Sequence, residues 1–139
     1  MRKFLLPRSR SERRGASAVE FAIVAPLFFL LVIGLVEFGR ALMVQQVLTN
    51  ASRVGVRKAI ALNVTTTQVI ETTVEYAEGV SVDGVNVVVS PSPAAAETGE
   101  PITVTVSVPY ENVSWIPAPW FMTDTTLSAS SVMRKEGFE

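Results

Sequence analysis

The stretch that decides the fold is GASAVEFAIVAPLFFLLVIGLV, residues 15–36. Glu20 is its only ionisable side chain, and a helix of this length, at about 1.5 Å per residue, spans the roughly 30 Å hydrocarbon core of a bilayer. A chain of 139 residues cannot surround so apolar a helix with protein on every side. We therefore predict a transmembrane helix over residues 16–38, with a kink near Pro26.

The charge of the chain is distributed unevenly around this run. The formal net charge is -1, but the first 15 residues sum to +5 and the remainder to -6. Positive charge beside an apolar run marks the cytoplasmic side of a membrane protein, and here that use is favoured over binding to nucleic acid. We predict a basic cytoplasmic leader over residues 1–15, no nucleic-acid partner, and an extracytoplasmic α+β domain over residues 39–139.

The composition narrows the possible chemistry. The sequence contains no cysteine and no histidine, which removes thiolate metal sites, cysteine nucleophiles and the commonest general base. A hydrolase using a serine with Lys58 or Lys135 is disfavoured, because nothing places a serine beside either lysine. Glu71, Glu75 and Glu78 share one side of a predicted helix, where a solvated acidic face is favoured over a cation site. We predict that the protein is not an enzyme and holds no metal or cofactor.

Glu20 needs a physical explanation, because a carboxylate near the membrane end of a helix is costly unless it is paired, neutralised or kept at the interface. If a peptidase cut after Gly15, the new α-amine of Ala16 would lie one helical turn from Glu20. That amine would neutralise Glu20 of its own helix or of a neighbouring one, so that cleavage would permit assembly. The alternative is that Glu20 lies among lipid headgroups, where the helix dipole also favours an anion.

The segment RRGASAVEFAIVAP, residues 13–26, resembles the prepilin peptidase site of type IV pilin-like proteins. Their pattern is a basic leader, a glycine, four residues, a glutamate and an aromatic residue. The resemblance implies cleavage between Gly15 and Ala16, and roles in assembly or recognition for Glu20 and Phe21. Ala16 departs from the phenylalanine of classical type IV pilins, which favours the Flp/Tad branch and leaves methylation of the new N-terminus open.

A second tract, VEFGRALMVQQVLTNASRVGVRKA over residues 36–59, resembles the TadE-like branch of this superfamily. In that branch an E-x-GR-like exit from the membrane precedes an N-A-x-R-x-G-x-R-like segment. The matching residues are Glu37, Gly39, Arg40, Asn50, Ala51, Arg53, Gly55 and Arg57. The resemblance implies that the membrane exit and helix contacts are formed by Glu37, Gly39, Arg40, Arg53, Gly55 and Arg57. Glu37 and Arg40 are three residues apart on one helical face, and we expect them to form an ion pair.

Beyond the membrane the first helix is predicted to continue as an amphipathic helix. The residues expected to pack are Val44, Val47, Leu48, Ala51, Val54, Gly55, Ala59 and Leu62. The residues expected on the opposite side are Gln46, Thr49, Asn50, Arg53 and Arg57. A short second helix is predicted over residues 65–76, with threonine caps at its start and a stop near Gly79.

Alternating apolar and polar residues predict strands over residues 85–89, 102–108 and 126–133. Three antiparallel strands with one half-buried face are enough to pack on a helix. The predicted fold class is therefore α+β: a long N-terminal helix, transmembrane in one half and amphipathic in the other, packed on a small antiparallel sheet of about three strands.

The segment WIPAPWF, residues 115–121, is an apolar loop whose two prolines restrict its backbone. Its aromatic side chains could complete the core of a small sheet, which is the favoured interpretation. The alternative is a docking surface for another subunit, formed by Trp115, Trp120 and Phe121.

The resemblances together imply a minor pseudopilin that is processed by prepilin peptidase. It would be required for assembly or initiation of a Tad-type pilus or related secretion filament. The β-rich region indicates a minor subunit, because a major pilin of this branch is expected to carry little beyond its helix. The implied partners are the peptidase, other pilin or pseudopilin subunits, the pilus assembly platform and inner membrane lipid.

The implied location is the bacterial inner membrane, with one membrane pass, a cytoplasmic N-terminus and a periplasmic C-terminal domain, or an extracellular pilus that incorporates the subunit. The alternative function, from another class, is an unprocessed single-pass envelope protein whose periplasmic domain binds a partner. The state of the N-terminus distinguishes the two, because only the pseudopilin would begin at Ala16.

Overall fold

The structure, a computed structural model, describes residues 10–116 and 124–137, with side chains from residue 15 onward. Within those residues the elements follow in the order α1 (Arg10–Ala59), α2 (Thr66–Gly79), β1 (Asn86–Ser90), β2 (Pro101–Pro109), the 3-10 helix η1 (Tyr110–Asn112) and β3 (Thr126–Arg134). The predicted α+β class, with a long N-terminal helix, a second helix and a three-stranded antiparallel sheet, is confirmed.

Contacts divide the chain into two compact units, Met1–Val36 and Glu37–Glu139. In the first unit α1 runs through Pro26 without interruption, and its described side chains are almost all exposed. The segment Gly15–Ala59 of α1 is long and apolar enough to cross a membrane, and none of its most apolar window is buried by protein. Length, composition and exposure together fit a single-pass membrane helix.

In the second unit α1 buries one face, largely as the hydrophobic pattern predicts. The predicted packing residues that are buried are Val44, Leu48, Ala51, Gly55 and Ala59. Leu62 is exposed, contrary to expectation, because α1 ends at Ala59 and a turn follows. Ser52 is buried although it is polar, since its hydroxyl lies 2.8 Å from the hydroxyl of Ser131 on β3. A pattern that counts only apolar residues misses such a position.

The helix α2 begins at a capping box, as its threonine-rich start predicts. The Gln68 N–H donates to Thr65 Oγ1 at 3.3 Å, and the Thr65 N–H donates to Gln68 Oε1 at 3.1 Å. These two bonds satisfy amides that a helix start otherwise leaves without partners. The helix ends at Gly79, and it buries Val69, Thr73 and Ala77, which recur once per turn on the side facing the core.

The sheet has the order β1-β2-β3, and both pairs of neighbouring strands are antiparallel. The central strand β2 keeps the predicted alternation, with Ile102, Val104, Val106 and Val108 fully buried. Pro101 and Pro109 lie at its two ends, where a residue without an N–H interrupts the ladder least. The alternation over residues 102–108 thus predicted which face of β2 is buried. The observed strand is longer than this segment by one residue at each end, Pro101 and Pro109.

Candidate functional site

Glu37 is the first residue after the apolar run, and its side chain is 2% exposed. The Tyr110 hydroxyl donates a 2.6 Å hydrogen bond to Oε2 of Glu37, and the Ser114 hydroxyl donates one of 2.9 Å to the same oxygen. The main-chain N–H of Trp115 donates to Oε1 at 3.1 Å. Both carboxylate oxygens therefore have partners, which is the condition on which a carboxyl group can be buried.

These donors reach Glu37 because the chain turns at once when β2 ends. Pro109 supplies no N–H to extend the ladder, and η1 begins at the next residue. The N–H groups of Val113 and Ser114 both donate to the Tyr110 carbonyl at 3.0 Å, which closes the turn. The turn thus presents Tyr110, Ser114 and the Trp115 N–H to a single side chain on α1.

Arg40, about one helical turn after Glu37, binds the same segment, residues 110–115. Its Nε donates to the Val113 carbonyl at 3.0 Å, and its Nη2 donates to the Ser81 carbonyl at 3.3 Å. The guanidinium carbon lies 5.3 Å from the centre of the Trp115 ring, within the range of a cation–π interaction. Arg40 therefore ties α1 to two loops and to an aromatic ring. We call Glu37, Arg40, Tyr110, Ser114 and Trp115 the Glu37 cluster.

The expected ion pair between Glu37 and Arg40 is wrong. Each side chain binds the loops instead, Glu37 through hydroxyl and amide donors and Arg40 through carbonyl acceptors. The expectation considered α1 alone, in which the spacing of three residues makes each of the two side chains the nearest oppositely charged group to the other. The folded domain supplies other partners of the right kind: three donors for Glu37, which only accepts hydrogen bonds, and two carbonyl acceptors for Arg40, which only donates them.

Tyr110 is fully buried, and burial together with its hydrogen bond to Glu37 raises the pKa of Tyr110 to about 12. A buried phenol favours its neutral form, and a neighbouring carboxylate favours it further. Tyr110 therefore remains a donor throughout the physiological pH range. The Glu37 cluster is a fixed structural joint between α1 and residues 110–115, whose parts are 73 or more positions apart in sequence.

The predicted processing residues lie in the other compact unit. Gly15, Ala16, Glu20 and Phe21 all belong to α1, and all four are exposed. A Cβ placed on Gly15 would meet nothing within 4 Å. These residues are thus accessible within the described structure, and the Glu37 cluster is a separate feature of the folded domain.

The remaining predicted helix-contact residues divide into two groups. Gly39, Arg53 and Arg57 are exposed, and a Cβ on Gly39 would meet nothing within 4 Å. Gly55 is buried where α1 contacts α2, and a Cβ there would collide with the hydroxyl oxygen of Thr73 and lie 3.0 Å from a methyl group of Val104. Gly55 therefore lies against α2 at a position where only a residue without a side chain fits.

Trp115 is 65% exposed, so it does not complete the core as the favoured interpretation of its loop required. Its ring lies against Arg40, outside the hydrophobic core. Trp120 and Phe121, the other predicted docking residues, lie outside the described residues.

Tyr110, Ser114 and Thr73 make contacts that the sequence did not reveal. Tyr110 and Ser114 belong to no recognised motif, and their sequence separations from Glu37, 73 and 77 residues, do not indicate a contact. One signal was available, because an acidic residue at the end of an apolar run needs hydrogen-bond donors if it is buried. The hydroxyl-bearing residues just after the strictly alternating strand β2 were candidates for that role.

The fold defines a class of protein in which a small α+β domain continues from an apolar helix of membrane-spanning length. The family model described as TadE-like protein matches residues 15–57 and so confirms the predicted resemblance over that segment, which associates the chain with the Tad pilus. The match contains the predicted processing residues, the apolar run and both Glu37 and Arg40. No curated protein and no solved structure matches the chain.

Proposed function

We propose that this protein is a minor pseudopilin, processed by prepilin peptidase and required for assembly or initiation of a Tad-type pilus or related secretion filament. The observation that carries the proposal is the family match over residues 15–57, which begins at the glycine of the processing pattern. The exposed positions of Gly15 and Glu20 on α1 support it, because both a peptidase and a neighbouring helix need access to them.

The proposed chemistry is hydrolysis of one peptide bond. Water adds across the bond between Gly15 and Ala16, which leaves a carboxylate on Gly15 and an ammonium group on Ala16. That cation lies one helical turn before Glu20, so it offsets the cost of the carboxylate in lipid, in the same helix or in a neighbour. Cleavage thereby turns a membrane anchor into a subunit whose helix can pack among others.

The proposed role is structural, and we propose that the protein itself catalyses no reaction. The basic leader lies on the cytoplasmic side of the inner membrane, where flanking positive charge is retained, and the domain that begins at Glu37 lies in the periplasm. Its proposed partners are the prepilin peptidase, other pilin or pseudopilin subunits and the assembly platform. The hydrogen bonds of the Glu37 cluster keep residues 110–115 attached to α1 at the start of this domain.

Replacing Gly15 with valine is expected to block processing without disturbing the helix, because a side chain at this position points into open space. Gly34→Val is the matched control, since Gly34 is also exposed on the apolar part of α1 with nothing near its Cβ. Mass spectrometry of the chain from cells with an active prepilin peptidase should find an N-terminus at Ala16 in the control and an intact leader in Gly15→Val.

An intact leader in the unsubstituted chain, in cells where the peptidase processes another prepilin, would refute the pseudopilin proposal. It would favour the alternative of an unprocessed envelope protein. Trp115 is the observation that supports this second function, because a large aromatic side chain that is 65% exposed in a folded domain is available to a partner.

Replacing Glu20 with glutamine is expected to leave membrane insertion and cleavage intact but to abolish incorporation into filaments. The amide keeps the shape of the side chain and removes the charge that the Ala16 ammonium group would pair with. Sheared filaments are probed for the subunit, and the membrane fraction is probed for the mature chain. Normal incorporation of Glu20→Gln would show that Glu20 is only a headgroup contact.

A further inference from the structure

The domain carries two charged faces, one on each helix. Arg53 and Arg57 are exposed on α1, and Glu71 and Glu75 are exposed on α2. Within the described part of the chain these four side chains form no ion pair with one another. We call Arg53 and Arg57 the basic face, and Glu71 and Glu75 the acidic face.

The contact between the helices explains why these charges do not pair within one chain. The helices meet where Gly55 packs against Thr73, and the four charged residues lie two positions before or after one of these two residues. Two positions turn a helix by about 200°, so each pair points away from the other helix. The basic and acidic faces therefore lie on opposite sides of the helix pair, beyond reach of each other.

The two faces nevertheless match in spacing and in charge. Each consists of two like charges four residues apart, which is about 6 Å along a helix axis. Like charges at this spacing destabilise an isolated helix slightly, and opposite charges presented at the same spacing remove that repulsion. Two ion pairs could form at once if an acidic face met a basic face from another molecule.

We propose that the basic face of one copy of this chain docks against the acidic face of a second copy. Charge complementarity identifies the occupant, because each chain carries both halves of the contact, with one pair of like charges four residues apart on each helix. Since the two faces point in opposite directions, the contact is head to tail, and each added copy leaves one acidic and one basic face free for another.

Ion pairs between exposed side chains are weak, so their proposed contribution is register and choice of partner more than affinity. Helices held in one membrane meet at high local concentration, which allows weak contacts to act. The inference goes beyond the proposed function, because the docking does not depend on cleavage at Gly15. It can therefore be tested in the unprocessed Gly15→Val chain as well.

The first test uses the full chain in detergent micelles with the conservative double variant Arg53→Lys/Arg57→Lys. This variant keeps both positive charges and supplies primary amines, which a carbodiimide joins directly to carboxylates in contact with them. In a mixture of isotopically labelled and unlabelled copies we expect mixed-isotope peptides that join position 53 or 57 to Glu71 or Glu75, and a ladder of oligomers. The head-to-tail contact would be overturned if both halves of every cross-linked peptide came from the same copy, or if the product stopped at the dimer.

The second test reverses the charges. Arg53→Glu/Arg57→Glu and Glu71→Arg/Glu75→Arg are each expected to weaken self-association by about tenfold or more, since attraction becomes repulsion in both ion pairs. The two reversed chains should associate with each other when mixed, and the chain with all four reversals should again associate with itself. Near-ultraviolet circular dichroism checks that each variant remains folded.

The chain with all four charges reversed distinguishes contact between the two faces from binding to another partner. Binding of the basic face to anionic lipid, or of either face to an unrelated protein, would not be restored when all four charges are reversed. Self-association that is unchanged by either double reversal would also overturn the proposal. A failure here together with normal cleavage at Gly15 would leave the proposed function standing.

Discussion

Replacing Glu37 with alanine is expected to lower the free energy of unfolding by about 3 kcal/mol, because it removes the carboxylate that three donors share and leaves them with longer contacts or none. Tyr110 dominates this loss, since its hydroxyl is fully buried and exchanges a 2.6 Å hydrogen bond to the carboxylate for the 3.3 Å contact with the main-chain carbonyl of residue 37. Ser114 and the Trp115 N–H are less buried and regain water more readily. Chemical unfolding of the full chain in detergent micelles measures the change.

Glu111→Ala is the matched control for this prediction, because Glu111 is an exposed glutamate beside Tyr110 with no part in the Glu37 cluster. Its effect should stay within about 0.5 kcal/mol, as for most surface substitutions. Tyr110→Phe removes one donor and keeps the carboxylate, so its cost should lie between the other two. Equal stabilities of Glu37→Ala and Glu111→Ala would show that the Glu37 cluster does not stabilise the domain.

Replacing Gly55 with alanine is expected to destabilise the domain by about 1–3 kcal/mol, even though alanine favours a helix by about 1 kcal/mol. The new methyl group would collide with the Thr73 hydroxyl, which cannot move freely because it donates to the Val69 carbonyl at 2.7 Å. A methyl group of Val104 would lie 3.0 Å from the new Cβ and leaves it little room to shift. Unfolding of the full chain in micelles again provides the measurement.

Gly39→Ala separates the collision from the helix preference, because Gly39 lies on the same helix with open space around it. That variant is expected to gain stability, by up to about 1 kcal/mol. Adding Thr73→Ala to Gly55→Ala removes the hydroxyl and should restore part of the lost stability. A stabilising effect of Gly55→Ala alone would mean that α1 and α2 do not approach as closely as the structure shows.

Much of the fold could be predicted from local pattern. The alternation over residues 102–108 predicts both a strand and its buried face, because successive side chains on a strand point to opposite sides. The capping residues at Thr65 and the stop at Gly79 predict α2 to within a few residues, since they satisfy or end the helix hydrogen-bond ladder. These signals act over a few residues and do not depend on the rest of the fold.

The candidate site was only partly predictable. The ion pair expected between Glu37 and Arg40 was wrong, because the pairing rule for one helix takes no account of a loop 73 or more residues away. Leu62 and Trp115 were expected to pack and are exposed, since apolar character alone does not place a residue inside. Thr73 was unremarkable until the structure set it against Gly55.

The sequence by itself determined that residues 15–36 form an apolar helix of membrane-spanning length, that a strand pattern follows, and that the family resemblance lies in residues 15–57. These are properties of continuous segments. Only the tertiary structure decided that Glu37 accepts from Tyr110 and Ser114, and that Gly55 lies against Thr73. The physical reason is that such contacts join segments distant along the chain, and their geometry exists only after the helices and sheet have packed.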